Sequence, residues 1–441
     1  MADLLNTLNV TAGSAEKTKQ QQTAVESEYQ KAKQKQKIFD PFAGENEEFE
    51  IETISEFRKK TCGLKPSEVV LDGWVFQEVD FRSIPRETFQ QYDVRGASFW
   101  GCTFPEGVSI IDVQSRGAAA WANPTDVPFK AFRAFMYTQP ELRLVDDTIY
   151  EHYLKHRDLR TKISQTAHDH SIQDAMKDYL EGKTPVGVMG GHGMQRASAA
   201  YRQVVYLGYY LARAGFLVIT GGGPGAMEAA NMGAYLWERS EEEVEQALKL
   251  LNEKPAQIEV PSDKKRIKPE YLDTESPDRV LAAFGQPTHA PSLGVPTFHY
   301  GHEPSNRFAT WVAKFFQNSL RENDLLEVCT GGVVFTPGSA GTRQEVFQAC
   351  CSNHYGDDPV PFVFLDRHFW LEQSGGVYEL VQKTSEGRPY HDMLMCTDSV
   401  QELVAHMYDI AKRKQRPLIT DPKTLLEAHW EGGVSLGECD E

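Results

Sequence analysis

Short apolar runs alternate with amphipathic stretches through the second half of the chain. Residues 186–189, 216–220, 292–296, 332–336, 361–365 and 393–397 are mostly apolar without a period-two alternation. Runs of that kind read as strands covered on both faces. Between them the apolar positions recur near the helical period. In 157–180 they are Ile163, Ala167, Ile172, Ala175, Met176 and Leu180. Further helices are predicted over 198–214, with Gly215 as C-cap, and from Ala226 through Leu236. Others fall at 241–253, 306–321 and 343–353, and after each of the last two strands.

Strands alternating with helices predict an α/β fold, a doubly wound, Rossmann-like parallel sheet over residues 146–415. Residues 46–145 have a different texture, strand-like and aromatic, and are read as a small β-rich or mixed N-terminal domain. There Phe99 and Phe104 stand five apart, with Phe81 as an imperfect copy. Two readings stay open: a β-coil with a five-residue period, or a small mixed domain docked on the main one. Residues 1–45 and 416–441 are poor in large apolar side chains and are expected to be disordered tails.

Composition narrows the function. A formal net charge of −17 on 441 residues excludes nucleic acid and anionic membranes as main partners, because either needs a dense basic face. A small anionic ligand is still allowed, since backbone N–H groups at helix starts hold anions without surplus lysine. The seven cysteines are scattered without a C-x-x-C pair, so neither a disulfide framework nor a zinc site is expected. No basic, apolar leader opens the chain and no apolar run nears the roughly 18 residues of a spanning helix. A cytoplasmic location is the expectation. His168-Asp169-His170 is a poor metal pair, because i and i+2 point to different helix faces, and solvated or capping histidines are expected.

The candidate chemistry lies in glycine loops at strand ends. The first is Gly190-Gly191-His192-Gly193. The second, Gly221-Gly222-Gly223-Pro224-Gly225-Ala226-Met227-Glu228, follows a strand and opens a helix, which is the context that makes such a loop a phosphate cradle. The third, Pro337-Gly338-Ser339-Ala340-Gly341-Thr342, adds Glu345 one turn on. Each has a plain structural reading beside the functional one. The second loop can also be a tight turn without a ligand, and Thr342–Glu345 spells a capping box.

The second and third loops, in this order, resemble the Lonely Guy (LOG) family of nucleoside 5′-monophosphate phosphoribohydrolases. The family pattern P-G-G-x-G-T-x-x-E is matched except at Ser339. The resemblance covers about 230 residues by the reach of the two loops, and is greatest to long bacterial members with an extra N-terminal region. It implies phosphate binding by Gly221, Gly222, Gly223, Gly225, Met227, Glu228 and by Pro337, Gly338, Ser339, Ala340, Gly341, Thr342. It also implies Glu345 at the ribose and an arginine at the glycosidic bond. The family's Met-x-x-Arg-Lys run is missing, leaving Arg307 and Arg321. Arg307 is favoured, as the start of the helix predicted at 306. Gly190, Gly191, His192, His302 and Glu303 are expected pocket residues. A homodimer or larger homo-oligomer is implied, with no metal and no cofactor.

The expected reaction is hydrolysis of a nucleoside 5′-monophosphate to base and ribose 5-phosphate. The rival is a nucleotide sensor or carrier that uses the same loops without turnover. A nicotinamide oxidoreductase is weaker, since no acidic residue closes a following strand at the required distance. Pyridoxal chemistry is weaker again, since neither loop holds a lysine.

Overall fold

The computed structural model of the chain describes residues 50–253, 273–300 and 305–419. The expectations placed on 1–45, on the tail beyond 419 and on His302 and Glu303 lie outside them.

The aromatic N-terminal region folds as a parallel coil. Strands β1 (Glu50–Ile51), β2 (Val75–Gln77), β3 (Ser98–Trp100) and β4 (Ala119–Trp121) form one all-parallel sheet in chain order. Short helices at Ile54–Thr61, Arg86–Phe89 and Ile110–Ser115 fill the returns. Phe76 pairs with Phe99 in register, the rings stacked at 4.7 Å and 5°. Phe81 lies over Phe104 at 6.3 Å and 7°. Both pairs are 23 positions apart in the chain. The five-residue spacing of Phe99 and Phe104 is therefore the step around one corner, and successive turns, read from the paired strands, are 25, 23 and 21 residues long. The corner before β3 is held by Gly96, at φ +76°, where an added Cβ would lie 1.8 Å from Asp72 Oδ1. Only glycine fits there.

The second sheet comprises β5 (Tyr137–Thr138), β6 (Pro185–Met189), β7 (Leu217–Thr220), β8 (Ser292–Gly294), β9 (Trp311–Val312), β10 (Gly332–Phe335), β11 (Phe362–Leu365) and β12 (Leu394–Thr397). Its order is β12-β11-β10-β6-β7-β8-β9-β5, and β5 runs antiparallel to its neighbour β9. The continuous apolar runs are explained by burial on both faces. Val333, Phe335, Phe362 and Phe364 point into one core with the helix Leu159–Leu180. Val334, Val363 and Leu365 point into the other, with Ala199–Arg213, Ala226–Tyr235 and Val400–Arg413. The α/β, Rossmann-like expectation holds. Among the described residues no helix is long and apolar enough to cross a membrane.

Two local expectations fail. Residues 306–317 are not helical, and the helix runs Asn318–Glu327. Phe308, Ala309, Val312, Ala313, Phe315 and Phe316 are all buried, so the apolar pattern fits a helix and an extended segment alike. Tertiary bonds decide it: Trp311–Val312 pairs with β8, and Asn306 N–H donates to Gly222 O at 2.8 Å. His168 and Asp169 are not solvated but fully buried, whereas His170 is exposed. His168 Nε2 lies 2.7 Å from Tyr137 Oη, and the Asp169 carboxylate accepts the N–H groups of Phe316 and Gln317 at 2.8 Å each. Burial pushes the imidazole below its ordinary value, so a neutral ring stitches helix to strand.

Phe76→Ala removes the inner ring of the coil and should cost about 3–5 kcal/mol in urea unfolding, whereas Phe76→Leu should cost about a third of that. Equal, small losses for both would show that the stack does not hold the coil.

Candidate functional site

Strand order reverses beside β6. The chain steps from β6 to β7 and β8 on one side, then crosses over to β10, β11 and β12 on the other. In open α/β sheets the crevice at such a switch point, outside the carboxyl ends, is where ligands bind. All three glycine loops start there. They touch backbone to backbone: Gly191 N–H donates to Pro337 O at 3.1 Å, and Ala226 N–H to Gly191 O at 3.2 Å. A Cβ on Gly225 would sit 2.5 Å from the carbonyl oxygens of Gly191 and His192, and one on Gly190 would sit 1.9 Å from Thr336 Oγ1. His192 is exposed on the rim.

Behind the second loop lies a buried amide network that the sequence reading missed. Thr220 Oγ1 donates to Asn231 Oδ1 at 2.6 Å, and Asn306 Nδ2 donates to the same oxygen at 2.9 Å. Asn231 Nδ2 donates to Ser292 Oγ at 2.9 Å, and Gly222 N–H to Thr220 Oγ1 at 3.0 Å. The network ties the end of β7, the start of β8 and the segment at Asn306 to the loop. Asn231, one polar side chain among Ala229, Ala230 and Met232, was the available signal.

Glu228 faces inward. Arg196 grips its carboxylate with Nε at 2.8 Å and Nη2 at 2.7 Å, and Tyr201 Oη donates at 2.9 Å. Arg196 Nη1 also reaches Asp273 Oδ2 at 2.9 Å. The side chain expected among the nucleotide contacts thus fixes the helix that the loop opens. Met227 Sδ lies where a Cβ of Gly221 would meet it at 2.8 Å.

In the third loop Ser339 is the N-cap of the helix Ala340–Tyr355, and its side chain makes no capping bond. Ser339, Ala340 and Gly341 are exposed, so the first helical N–H groups, which lack intrahelical acceptors, open outward. Thr342 stands inside the first turn, its hydroxyl folded against Gly338, where a Cβ would lie 2.1 Å away. The capping-box reading of Thr342–Glu345 therefore fails: Thr342 is not a cap.

Glu345 lies one turn further, partly buried. Burial pushes its carboxyl up to about 7, with Arg321 pulling down and Glu322 adding to the rise. Arg321 belongs to Asn318–Glu327, and its guanidinium reaches within 3.5 Å of the Cβ position of Gly221. One arginine thus spans the second loop and the glutamate of the third. Arg307, favoured by the sequence, follows Asn306 at the second loop. Its Nε lies 4.0 Å from Asp278 Oδ1, on the non-helical segment. Because the helix begins at 318 and not at 306, its first turns carry Arg321 to the ligand edge. Glu322 is held by Asn318 at 2.7 Å and Gln344 at 3.0 Å.

Residues 183–238 match the family model described as LDcluster4, SLOG cluster4 family. The match takes in β6, the first loop, β7, the second loop and the helix Ala226–Tyr235. Among solved structures the chain is similar to the molybdenum cofactor binding protein from the phototrophic bacterium Rippkaea orientalis. The two are 17% identical with a TM-score of 0.32, over 52% of this chain and 97% of that one. No curated protein matches the chain.

Arg196→Ala leaves the Glu228 carboxylate buried without its cation and should destabilise by about 3–5 kcal/mol in urea unfolding at neutral pH. A loss near zero would mean that the pair does not anchor the helix.

Proposed function

We propose that the protein hydrolyses the N-glycosidic bond of a nucleoside 5′-monophosphate, giving free base and ribose 5-phosphate. The observation that carries this reading is the meeting of Glu345 and Arg321 beside the open helix start at Ser339–Thr342. The resemblance of the two loops to the LOG family and the SLOG match over residues 183–238 support it.

In this reading the exposed N–H groups of Ala340 and Gly341 and that of Thr342 hold the 5′-phosphate, aided by the helix dipole. Glu345, as the anion, binds the ribose hydroxyls, orients the attacking water and offsets positive charge growing on the sugar. The bond from water oxygen to C1′ forms as the bond from C1′ to the base nitrogen breaks. The electron pair leaves with the base, which then takes up a proton. Arg321 lies between Glu345 and Gly221, near the glycosidic bond, and partly offsets the rise that burial imposes on the glutamate. A homodimer or larger assembly belongs to the same proposal.

The second reading is a nucleotide sensor without turnover. Ser339 favours it, standing exposed where the family pattern has glycine.

A panel of purine, pyrimidine and cytokinin monophosphates should release base with the wild type. Glu345→Ala and Arg321→Ala should each lower the rate by roughly 10²-fold or more, while Arg307→Ala leaves it within a factor of about three, as expected of a residue outside the reacting atoms. No release above the Glu345→Ala background, with nucleotide still bound, would leave the sensor reading. The pH profile gives a second check. The Glu345 anion is lost as pH falls through about 7, so kcat/KM should decline below that pH with unit slope.

The same shift acts on stability. The folded-state value of Glu345 stands above its unfolded one, so its ionisation destabilises the fold fully above pH 7 and not at all near pH 4. Glu345→Gln should therefore stabilise by about 1–3 kcal/mol at pH 8 and by almost nothing at pH 4, read by thermal unfolding.

A further inference from the structure

A second hollow lies where the coil meets the helix Leu159–Leu180. Its volume is about 470 Å³, within the size range of small-molecule sites. The coil side is aromatic. Gln77, Trp100 and Trp121 are in register on the outward face of β2, β3 and β4. Trp100 is braced by Trp121, stacked at 4.3 Å and 4°, while Phe132 closes the corner at 5.4 Å and 46°. The helix side is polar: His170, Ser171 and Asp174 recur at helical spacing toward the hollow. Two elements joined by dry packing would meet through apolar side chains. This seam instead sets a polar helix stripe opposite an indole face, with space between.

Charge decides what fits. Asp174 Oδ2 accepts from Gln77 Nε2 at 2.5 Å, and Gln77 also donates to Glu50. Glu50, Asp174 and Asp178 each place an oxygen within 4.8 Å of the others. Asp174 is the carboxylate of the lining itself, with Glu50 and Asp178 beside it outside the lining, and burial and these neighbours push Glu52 up to about 9. Lys177 is the single lysine of its lining, with His170 beside it. A carboxylate end joined to an electron-rich aromatic wall attracts a cation twice, by ion pairing and through the ring quadrupole.

We propose that this hollow binds a small organic cation, an alkyl-ammonium or guanidinium compound, seated between Trp100, Phe132 and Asp174. A hydrated divalent ion would use the oxygens alone and gain nothing from the indole, which separates the two cases. The site does not depend on the reaction proposed for the glycine loops.

The test is calorimetric titration of the full chain with spermidine, 1,5-diaminopentane and arginine amide at about 0.15 M salt, where long-range attraction is screened. The expected result is saturable binding of at least one of them, weakened roughly tenfold or more by Asp174→Asn and by Trp100→Leu. Trp100→Phe should keep part of the affinity, and near-ultraviolet circular dichroism checks that each variant is folded. Absence of saturable heat with all three probes would overturn the proposal. So would binding that Trp100→Leu leaves unchanged, or its replacement by tighter binding of magnesium or calcium chloride that only Asp174→Asn abolishes.

Discussion

The architecture of the main sheet rests on backbone meeting backbone at one point. Gly190, Gly191 and Gly225 bring the loops after β6, β7 and β10 together, and at Gly190 and Gly225 the distances exclude even a Cβ. With the loops so close, the starts of two helices and the reach of Arg321 converge on one crevice. The amide network of Thr220, Asn231, Ser292 and Asn306 then locks one of those loops from behind. A buried network of this kind specifies one arrangement because each partner left unsatisfied is costly.

The crevice also shows where the fold accepts a loss. Glu345 is drawn into a setting that disfavours its charge, and Arg321 is the cation that relieves it. Glu322, next in the chain, works the other way. Arg196, by contrast, pairs with both Glu228 and Asp273. The contrast between a fully satisfied carboxylate at the second loop and a poorly compensated one at the third is what sets the third apart.

Much of this was legible in the residues. Apolar runs on strands covered from both sides, with glycines at their ends, gave the layered sheet and the loops. The sequence could not tell a helix from an extended segment over 306–317, because every period finds apolar side chains there. That ambiguity carried the arginine with it: a helix drawn from 306 put Arg307 at the ligand edge, whereas one beginning at 318 puts Arg321 there. The coil was half visible. Its phenylalanines were noticed at the corner spacing, but the longer repeat, marked by Phe76 and Phe99, is blurred by the helices between the strands. His168 looked like a surface residue because its neighbours are polar. Its burial depends on Tyr137, and that of Asp169 on the backbone at 316–317, remote partners that no local pattern reveals.

The parallel coil has a consequence for how this protein can change over generations. Each turn contacts chiefly the turn before and after it, so whole turns are the natural unit of gain and loss. Among the described residues β1 pairs with β2 alone, leaving its other edge open to growth, while β4 leads directly into the connection to the main sheet. Duplication or deletion of one turn, 21 to 25 residues, near β1 would lengthen or shorten the arm without disturbing the glycine crevice. Relatives of this chain should therefore differ most in the number of turns at that end, and least in the spacing of the loops.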